Sequence, residues 1–533
     1  MHSALFNAGW LATQLPGYWR FHRSLADPRP AQEDLLDGYL RANAETEFGR
    51  RHGFGSIRSV RDYQDRVPLS TYDDYEDVVL RIQRGAGNVL TRSRVRCLEP
   101  SSGSTRAAKL IPYTAEVQAE FGRAVAPWLV DLALSRPAVL GGPAYWSITP
   151  AALPAGDAGE LEGDQVPVGF ESDSAYLGGW LHWLTERTLV PCSDLRLAGD
   201  HREFRHLTLL RLLAAPDLRL ISVWHPTFLT LLLDEFVATW DDLLRDLHQG
   251  LEPAGPLRGI PADPRRVRAL ASADPLVPAS VWSCLSVISC WGDGQAAALL
   301  PSLQARLPGV HIQPKGLIAT EAFVSLPFAG RRPLAVRSHF FEFIDRDSNA
   351  RLAWELVPEE IYSVVVTTAG GLYRYKLRDL VVVEGSLGGT PCLRFLGKED
   401  GIVDLRGEKL SEGFVAAVLS RLIPRFAPRT EFALLAPETA GDVPRYVLYM
   451  ASAGPPGPEL AVALESELGA NPNYALCVRL GQLLPASVEP VPRNAPARFM
   501  ARMVEAGQRL GSIKPVALSP LTDWGACFRG GAT

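Results

Sequence analysis

Apolar residues recur every three or four positions through the early part of the chain. In "AQEDLLDGYLRANAETEFG", Leu35, Leu36, Tyr39 and Leu40 share one helical face, and the pattern ends near Gly49. Residues 30 to 82 therefore read as helices broken repeatedly at Gly and Pro. "AEVQAEFGRAVAPWLVDLAL" has the same period, and segments 203–215 and 226–248 are apolar on one side, as buried helices require. The stretch 141–180 is rich in Gly, Pro and Ala and reads as irregular. "CLSVISCW" (284–291) and "VHIQPKGLIAT" (310–320) are short β-rich runs separated by the helical "GQAAALLPSLQARL", the alternation of a βαβ unit in a parallel sheet. The region from 334 to 396 is different: "LAVRSHFFEFID", "IYSVVVTTAGGLYRYKL", "DLVVVEGSL" and "PCLRFLG" are successive strand-like segments punctuated by Gly, which predict an antiparallel sheet or barrel. Beyond Gly397 a charged turn leads into the amphipathic "SEGFVAAVLSRLI", and strands and helices alternate to the end. These patterns predict a mixed α/β (α+β) chain with a boundary at 397–400, dividing a large domain, 1–396, from a small one, 397–533.

Composition narrows the possibilities. A chain of 533 residues and 58.1 kDa exceeds one ordinary core, which agrees with two or more domains. A formal charge of -5 and pI near 6.1 give no electrostatic reason to expect nucleic acid or an anionic membrane as partner. No apolar run reaches the roughly 18 residues that span a bilayer. "MHSALFNAGWLATQLPGYWR" has no basic segment before its apolar stretch and carries Pro16, so it reads as a packed helix rather than a signal peptide. The seven cysteines are scattered without CxxC or Cys/His spacing, which fits reduced thiols and a cytoplasmic location. Oligomeric state is left open, and a monomer is compatible with everything above. Only six of the 54 basic residues are lysine: Lys109, Lys315, Lys376, Lys398, Lys409 and Lys514. Where arginine is so favoured, a retained lysine hints at a need for a compact ammonium, the cation that meets a phosphate as a point charge.

Four segments carry candidate chemistry. In "SSGSTRAAKLIPYT", Gly103 permits close backbone approach, and Ser101, Ser102, Ser104 and Thr105 offer donors to a polyphosphate. No Lys follows in the register of the standard P-loop. In "GLIATEAF", Thr320 and Glu321 stand where a strand ends, and the carboxylate could hold Mg²⁺ beside phosphates. In "TTAGGLYRYKLRDLVVV", Asp379 could accept hydrogen bonds from both ribose hydroxyls. "GKEDGIVDLRGEKLSEGF" carries Lys398 and Lys409. Each has a plain structural reading in isolation: a surface turn, a solvated carboxylate, a turn aspartate, a charged loop. His201, His225, His311 and His339 are scattered and read as structural, with His225 in "VWHPTF" the one nearest a candidate substrate segment.

The order and content of these segments resemble the acyl-acid amido synthetases that include the plant auxin- and jasmonate-conjugating enzymes, a branch of the adenylate-forming superfamily. "TEFGRRHGF", "VPLSTYDDYEDVVLRIQRGAGNVLT", "SSGST", "KLIPYT", "KGLIATEA", "FFEFI", "VVVTTAGGLYRYKLRDLV", "RFLGKEDGI" and "GEKLSE" occur in family order. The resemblance implies a large N-terminal domain with a β-barrel and βα sheets, a small mobile C-terminal domain, and ATP with Mg²⁺ between them. It implies that Ser101, Ser102, Gly103, Ser104 and Thr105 form the phosphate loop and that Glu321 is the metal-associated carboxylate. Leu317, Ala319 and Thr320 then lie on the adenine side, Asp379 on the ribose, and Lys409, with Lys398 nearby, on the phosphate. Tyr176, Trp224 and Phe323 fall in segments that line the acyl pocket in the family. Three departures stand out: Leu317 replaces a common aromatic ring, Arg378 replaces the common Gly before the ribose aspartate, and "PEEIYSVVVTT" lacks the usual Gly before its strand.

The implied activity is conversion of a carboxylic acid to an acyl-adenylate, followed by transfer of the acyl group to an amine, most often an amino acid. Two alternatives compete with it. One is an adenylating ligase that passes the acyl group to coenzyme A or a carrier thiol; the tail, "GQRLGSIKPVALSP", lacks the P-K-T-x-x-G-K motif of those relatives. The other is a non-catalytic nucleotide-binding protein, against which stands the joint retention of the serine-rich loop, Glu321, Asp379 and Lys409.

Overall fold

The computed structural model describes residues 2–101, 109–147, 165–169, 188–198, 201–399, 401–403, 405–439, 443–454, 456–505 and 513–529. The chain divides into two compact units. The first comprises 1–144, 151–196 and 315–394; the second comprises 145–150, 197–314 and 395–533.

Unit 1 opens with the helix His2–Ser24, continuous through Pro16, and the helix Arg29–Asn43. The latter turns Leu36, Tyr39 and Leu40 onto a core with Phe54, Tyr63, Phe340 and Tyr373. Two hairpin strands follow, β1 (Cys97–Ser101) and β2 (Lys109–Tyr113), and lead into the long helix Ala115–Ser135, capped by the Thr114 side chain. In unit 2, β3 (Ala144–Trp146), β4 (Leu220–Ser222), β5 (Val287–Trp291) and β6 (His311–Lys315) lie side by side in that order. β4 and β5 run parallel, and the helix Gln295–Arg306 connects β5 to β6, as the alternating pattern predicted.

The strand-rich region forms a five-stranded sheet from β7 (Phe340–Ile344), β8 (Ala350–Leu352), β9 (Ile361–Thr367), β10 (Tyr375–Leu387) and β11 (Thr390–Lys398). Its order is β11-β10-β9-β7-β8, with β9 antiparallel to both β7 and β10. β9 is buried from Tyr362 to Thr367, which explains why Val364, Val365 and Val366 follow one another without a polar residue between them. An ion pair sits inside: buried Glu342 on β7 pairs with buried Arg374, whose Nη2 lies 2.9 Å from Oε1. Arg374 Nη1 also donates to the Gln64 and Val67 carbonyls at 2.7 Å, so the ion pair ties the helical layer to the sheet.

The C-terminal part of unit 2 begins with a short ribbon, β12 (Ile402–Val403) against β13 (Leu410–Ser411), and the helix Glu412–Phe426. A three-stranded sheet follows: β14 (Thr430–Glu438), β15 (Arg445–Ser452) and β16 (Leu484–Pro490), with β14/β15 antiparallel and β15/β16 parallel. Alternation along β14 feeds two cores. Ala433 and Leu435 face one cluster with Leu419, Leu422 and Leu464, while Phe432, Leu434 and Ala436 face another with Phe499, Trp524 and Phe528. No described helix is long and apolar enough to cross a membrane.

Candidate active site

The serine-rich segment begins as a hairpin. β1 and β2 pair down to Ser101 and Lys109, the two residues that flank the segment 102–108. Ser101 is buried there. Ser102, Gly103, Ser104 and Thr105 lie outside the described residues, as does Tyr176. At the loop's foot the Lys109 ammonium lies 5.9 Å from the centre of the Tyr72 ring, and the Tyr72 hydroxyl accepts a hydrogen bond from the Leu110 amide at 2.8 Å.

Glu321 is presented differently from the expectation. The strand β6 ends at Lys315, and Thr320–Glu321 form the tip of a separate tight hairpin. The Ala319 amide donates to Ala322 and the Val324 amide to Leu317, both at 2.9 Å, around an antiparallel bridge between Ile318 and Phe323. Gly316 makes this return possible: a Cβ there would lie 2.0 Å from the Ser325 carbonyl oxygen. Leu317 is buried, whereas Ala319, Thr320 and Glu321 remain partly exposed.

Asp379 is not a turn residue before a strand. It lies inside the 13-residue β10 and is buried, 2% exposed. Pairing with β9 breaks between Lys376 and Leu380, and Arg378 adopts a left-handed backbone, φ 59°. This is a bulge that re-aims the side chain following it. Arg378 thus occupies a backbone conformation in which a Cβ is costly and glycine would be favoured.

Tyr375 links these pieces. It is 1% exposed, and its hydroxyl has no hydrogen-bond partner among the described residues. Burial and then the negative charge of Glu321 push its phenol far above the ordinary range; Tyr72 adds to the shift and Arg378 opposes it. Within unit 1, then, Lys109 lies over Tyr72, and Tyr72, Glu321 and Arg378 bear on Tyr375, with Asp379 next to Arg378 in the bulge. Sequence reasoning missed Tyr72 and Tyr375. Both stand in the quoted motifs, but nothing in their residue type distinguishes them from core tyrosines.

Of the remaining candidates, Phe323 shares the Glu321 hairpin, and the others lie in unit 2. Phe323 is 2% exposed, its ring 6.1 Å from Phe121 and 6.4 Å from Trp128. In unit 2, Trp224 is 39% exposed, and its carbonyl accepts from the Trp291 amide at 2.9 Å. His225 is buried and caps the helix Pro226–Ala238, Nδ1 accepting from the Thr227 amide at 3.2 Å. Burial, with the Lys514 ammonium second, drives the His225 imidazole down to about 3. Lys514 itself lies 5.6 Å from the centre of the Trp291 ring. Lys398, half-buried, ends β11, and exposed Lys409 immediately precedes β13 with a left-handed backbone, φ 47°. Buried Glu408 shapes the loop before it, accepting from the Leu405 amide at 2.7 Å, the Arg406 amide at 2.8 Å and the Tyr446 hydroxyl. Among the described residues no three His, Cys, Asp or Glu side chains cluster as metal ligands. Glu321 is thus a single carboxylate, the donor set suited to a magnesium ion that arrives on phosphates.

Three family domains match the chain in order: the GH3 family N-terminal domain over residues 18–312, the central domain over 333–398 and the C-terminal domain over 414–520. The chain belongs to the GH3 family. Among curated proteins, this GH3 chain is 23% identical to a probable indole-3-acetic acid-amido synthetase GH3.12 of Oryza sativa subsp. japonica, covering 74% of this chain and 72% of the relative. It is 21% identical to the jasmonoyl–L-amino acid synthetase JAR4 of Nicotiana attenuata, covering 72% of each. Its fold matches the solved AtGH3.15 acyl acid amido synthetase in complex with 2,4-DB with a TM-score of 0.80, at 16% identity over 97% of this chain and 96% of that one. A 2-hydroxyisobutyryl-CoA ligase bound to its acyl-adenylate aligns at a TM-score of 0.51 and 13% identity, over 91% and 94% of the two chains. The adenylate-forming architecture is therefore present, and the sequence-based fold class stands.

Proposed function

We propose that the protein is an ATP-dependent acyl-acid amido synthetase. A carboxylate is a poor acyl donor because its leaving group would be oxide. Attack of a carboxylate oxygen on the α-phosphorus of ATP forms the acyl–phosphate bond and breaks the bond to pyrophosphate, which departs with its electron pair. The nitrogen of an amine, in our reading an amino acid, then attacks the acyl carbon. The carbon–oxygen bond to AMP breaks, nitrogen loses its proton, and the products are an amide and AMP.

The reading assigns each group a task. The loop from Ser101 to Thr105 donates hydrogen bonds to the phosphates, with Lys109 at its foot. Asp379 accepts from the ribose hydroxyls, and Leu317, Ala319 and Thr320 flank the base. Glu321 holds a magnesium ion carried in on ATP, which would neutralise phosphate charge. Lys409, with Lys398, brings a further cation from the segment 397–533, proposed as a lid domain, and Trp224 with Tyr176 and Phe323 shapes the acyl end. Alignment of two anions and neutralisation of developing charge constitute the catalysis; no covalent protein intermediate is needed.

The single observation that carries this reading is buried Tyr375 in unit 1, on which Glu321, Tyr72 and Arg378 bear electrostatically, at the start of the irregular stretch of β10 that holds Asp379. The test is carboxylate-dependent release of pyrophosphate across a panel of acids with Mg²⁺, followed by amines added to the acid that responds. Pyrophosphate with AMP and an amide is expected. ADP as the nucleotide product would replace the reading with an acyl-phosphate ligase, and consumption of coenzyme A in place of amines would replace it with a thioester-forming one.

A further inference from the structure

The Glu321 hairpin is fastened from behind by a buried polar relay. On the outer side of the hairpin the Phe323 amide donates to His339 Nε2 at 3.1 Å. With Nε2 accepting, the ring hydrogen sits on Nδ1, which faces Glu120 Oε2 at 3.2 Å as a close electrostatic contact short of a well-aligned hydrogen bond. His339 and Glu120 both have 0% exposure. The imidazole is held in its plane by edge-to-face contacts with Phe121 and Phe341, at centroid distances of 5.6 and 6.0 Å.

Glu120, on the helix Ala115–Ser135, has three further partners, of which Arg123 Nη2 is an ion-pair neighbour 4.0 Å from Oε1. The Tyr39 hydroxyl donates to Oε1, and the Ala369 amide donates to Oε1 at 3.0 Å and Oε2 at 3.2 Å. Ala369 belongs to the tight turn between β9 and β10, closed by the Thr368 amide on Leu372 at 2.9 Å. That turn is packed without slack, because a Cβ on Gly370 would lie 2.7 Å from the Pro112 carbonyl oxygen. One carboxylate therefore ties the hairpin bearing Glu321 to the turn that launches Tyr375 and Asp379. Filling a buried site with an acid is costly unless its hydrogen bonds are met, and an apolar side chain would serve packing alone at lower cost.

We infer that Glu120 and His339 are positioning residues, which set Glu321 through the Phe323 amide. The inference rests on the reading of Glu321 as a functional carboxylate. A misplacement of about 1 Å in a reacting group costs on the order of 100-fold in rate. His339→Leu, which keeps the volume but removes the acceptor, is accordingly expected to slow acid-dependent adenylate formation by about 10- to 100-fold, with KM for the acid unchanged. His339→Gln, whose carboxamide oxygen can reach the place of Nε2, should recover most of that loss.

The deciding experiment is a double-mutant cycle on single-turnover adenylate formation with Glu321→Ala. If His339 acts through Glu321, His339→Leu costs nothing further in the Glu321→Ala background. An equal loss in both backgrounds, or a normal rate for His339→Leu alone, overturns the inference. A normal rate for Glu321→Ala would instead overturn the reading of Glu321, and the inference with it. Should His339→Leu fail to fold, hydrogen exchange at the Phe323 amide of the unaltered protein decides: protection is expected, and exchange as fast as an exposed amide refutes the relay.

Discussion

Acidification should weaken the start of the helix Pro226–Ala238 through one residue. His225 is buried, and burial first, Lys514 second, hold its imidazole at about 3 against an ordinary value of 6.5. The folded state therefore binds this proton less well than the unfolded state. Stability from the neutral ring is intact above about 6.5 and is lost progressively as pH falls from there toward about 3. Between pH 7 and pH 5 the unfolded imidazole takes up its proton and the folded one does not, a loss of about 2 kcal/mol, or about 30-fold in the population of the open segment. Any folded value well below 5 leads to the same figure, because the unfolded pKa governs the interval. Hydrogen exchange across 226–238, corrected for the intrinsic pH dependence of exchange, measures that population. The paired variant is His225→Asn: asparagine still offers an N-cap acceptor to the Thr227 amide but does not titrate. The unaltered protein should lose about 2 kcal/mol more than the variant between the two pH values. An identical pH dependence in both would show that His225 is not the sensitive group.

Asp379→Ala should weaken ATP binding by about 1.5–3 kcal/mol, the range for hydrogen bonds to a charged group, measured by equilibrium titration; unchanged affinity in the folded variant would remove Asp379 from the nucleotide site. Lys409→Ala should slow single-turnover adenylation by about 100-fold or more, Lys409→Arg should restore only part of it, and Lys514→Ala should do less. A larger defect at Lys514, which already lies against Trp291 and beside His225, would transfer the phosphate contact to that lysine. Arg378→Gly should leave stability unchanged or raise it by up to about 1 kcal/mol, since relief of the left-handed backbone opposes the entropy of an added glycine; a clear loss of stability in denaturant would show that the guanidinium's contacts outweigh the backbone term.

Periodicity alone revealed most of the regular elements. The helical spacing of Leu36, Tyr39 and Leu40, the β–helix–β alternation from 284 to 320 and the Gly-punctuated strand segments after 334 each reappear in the fold, because the residues an element buries leave their pattern in the chain. The motifs likewise identified Glu321, Asp379 and the serine-rich loop as candidates, since residue type and local order are properties of the sequence. What the chain could not declare is how the backbone delivers those groups. Glu321 sits on a hairpin that depends on Gly316 clearing the Ser325 carbonyl, and Asp379 is aimed by a bulge whose left-handed residue is an arginine, against the usual preference for glycine. The tyrosines of the site and the Glu120–His339 relay were equally hidden. Their partners lie far apart in sequence, 249 positions in the case of Glu120 and Ala369, and such pairings carry no local period. Burial decides between a core tyrosine and a site tyrosine, or between a structural histidine and a positioning one, and burial is settled only when distant segments pack together.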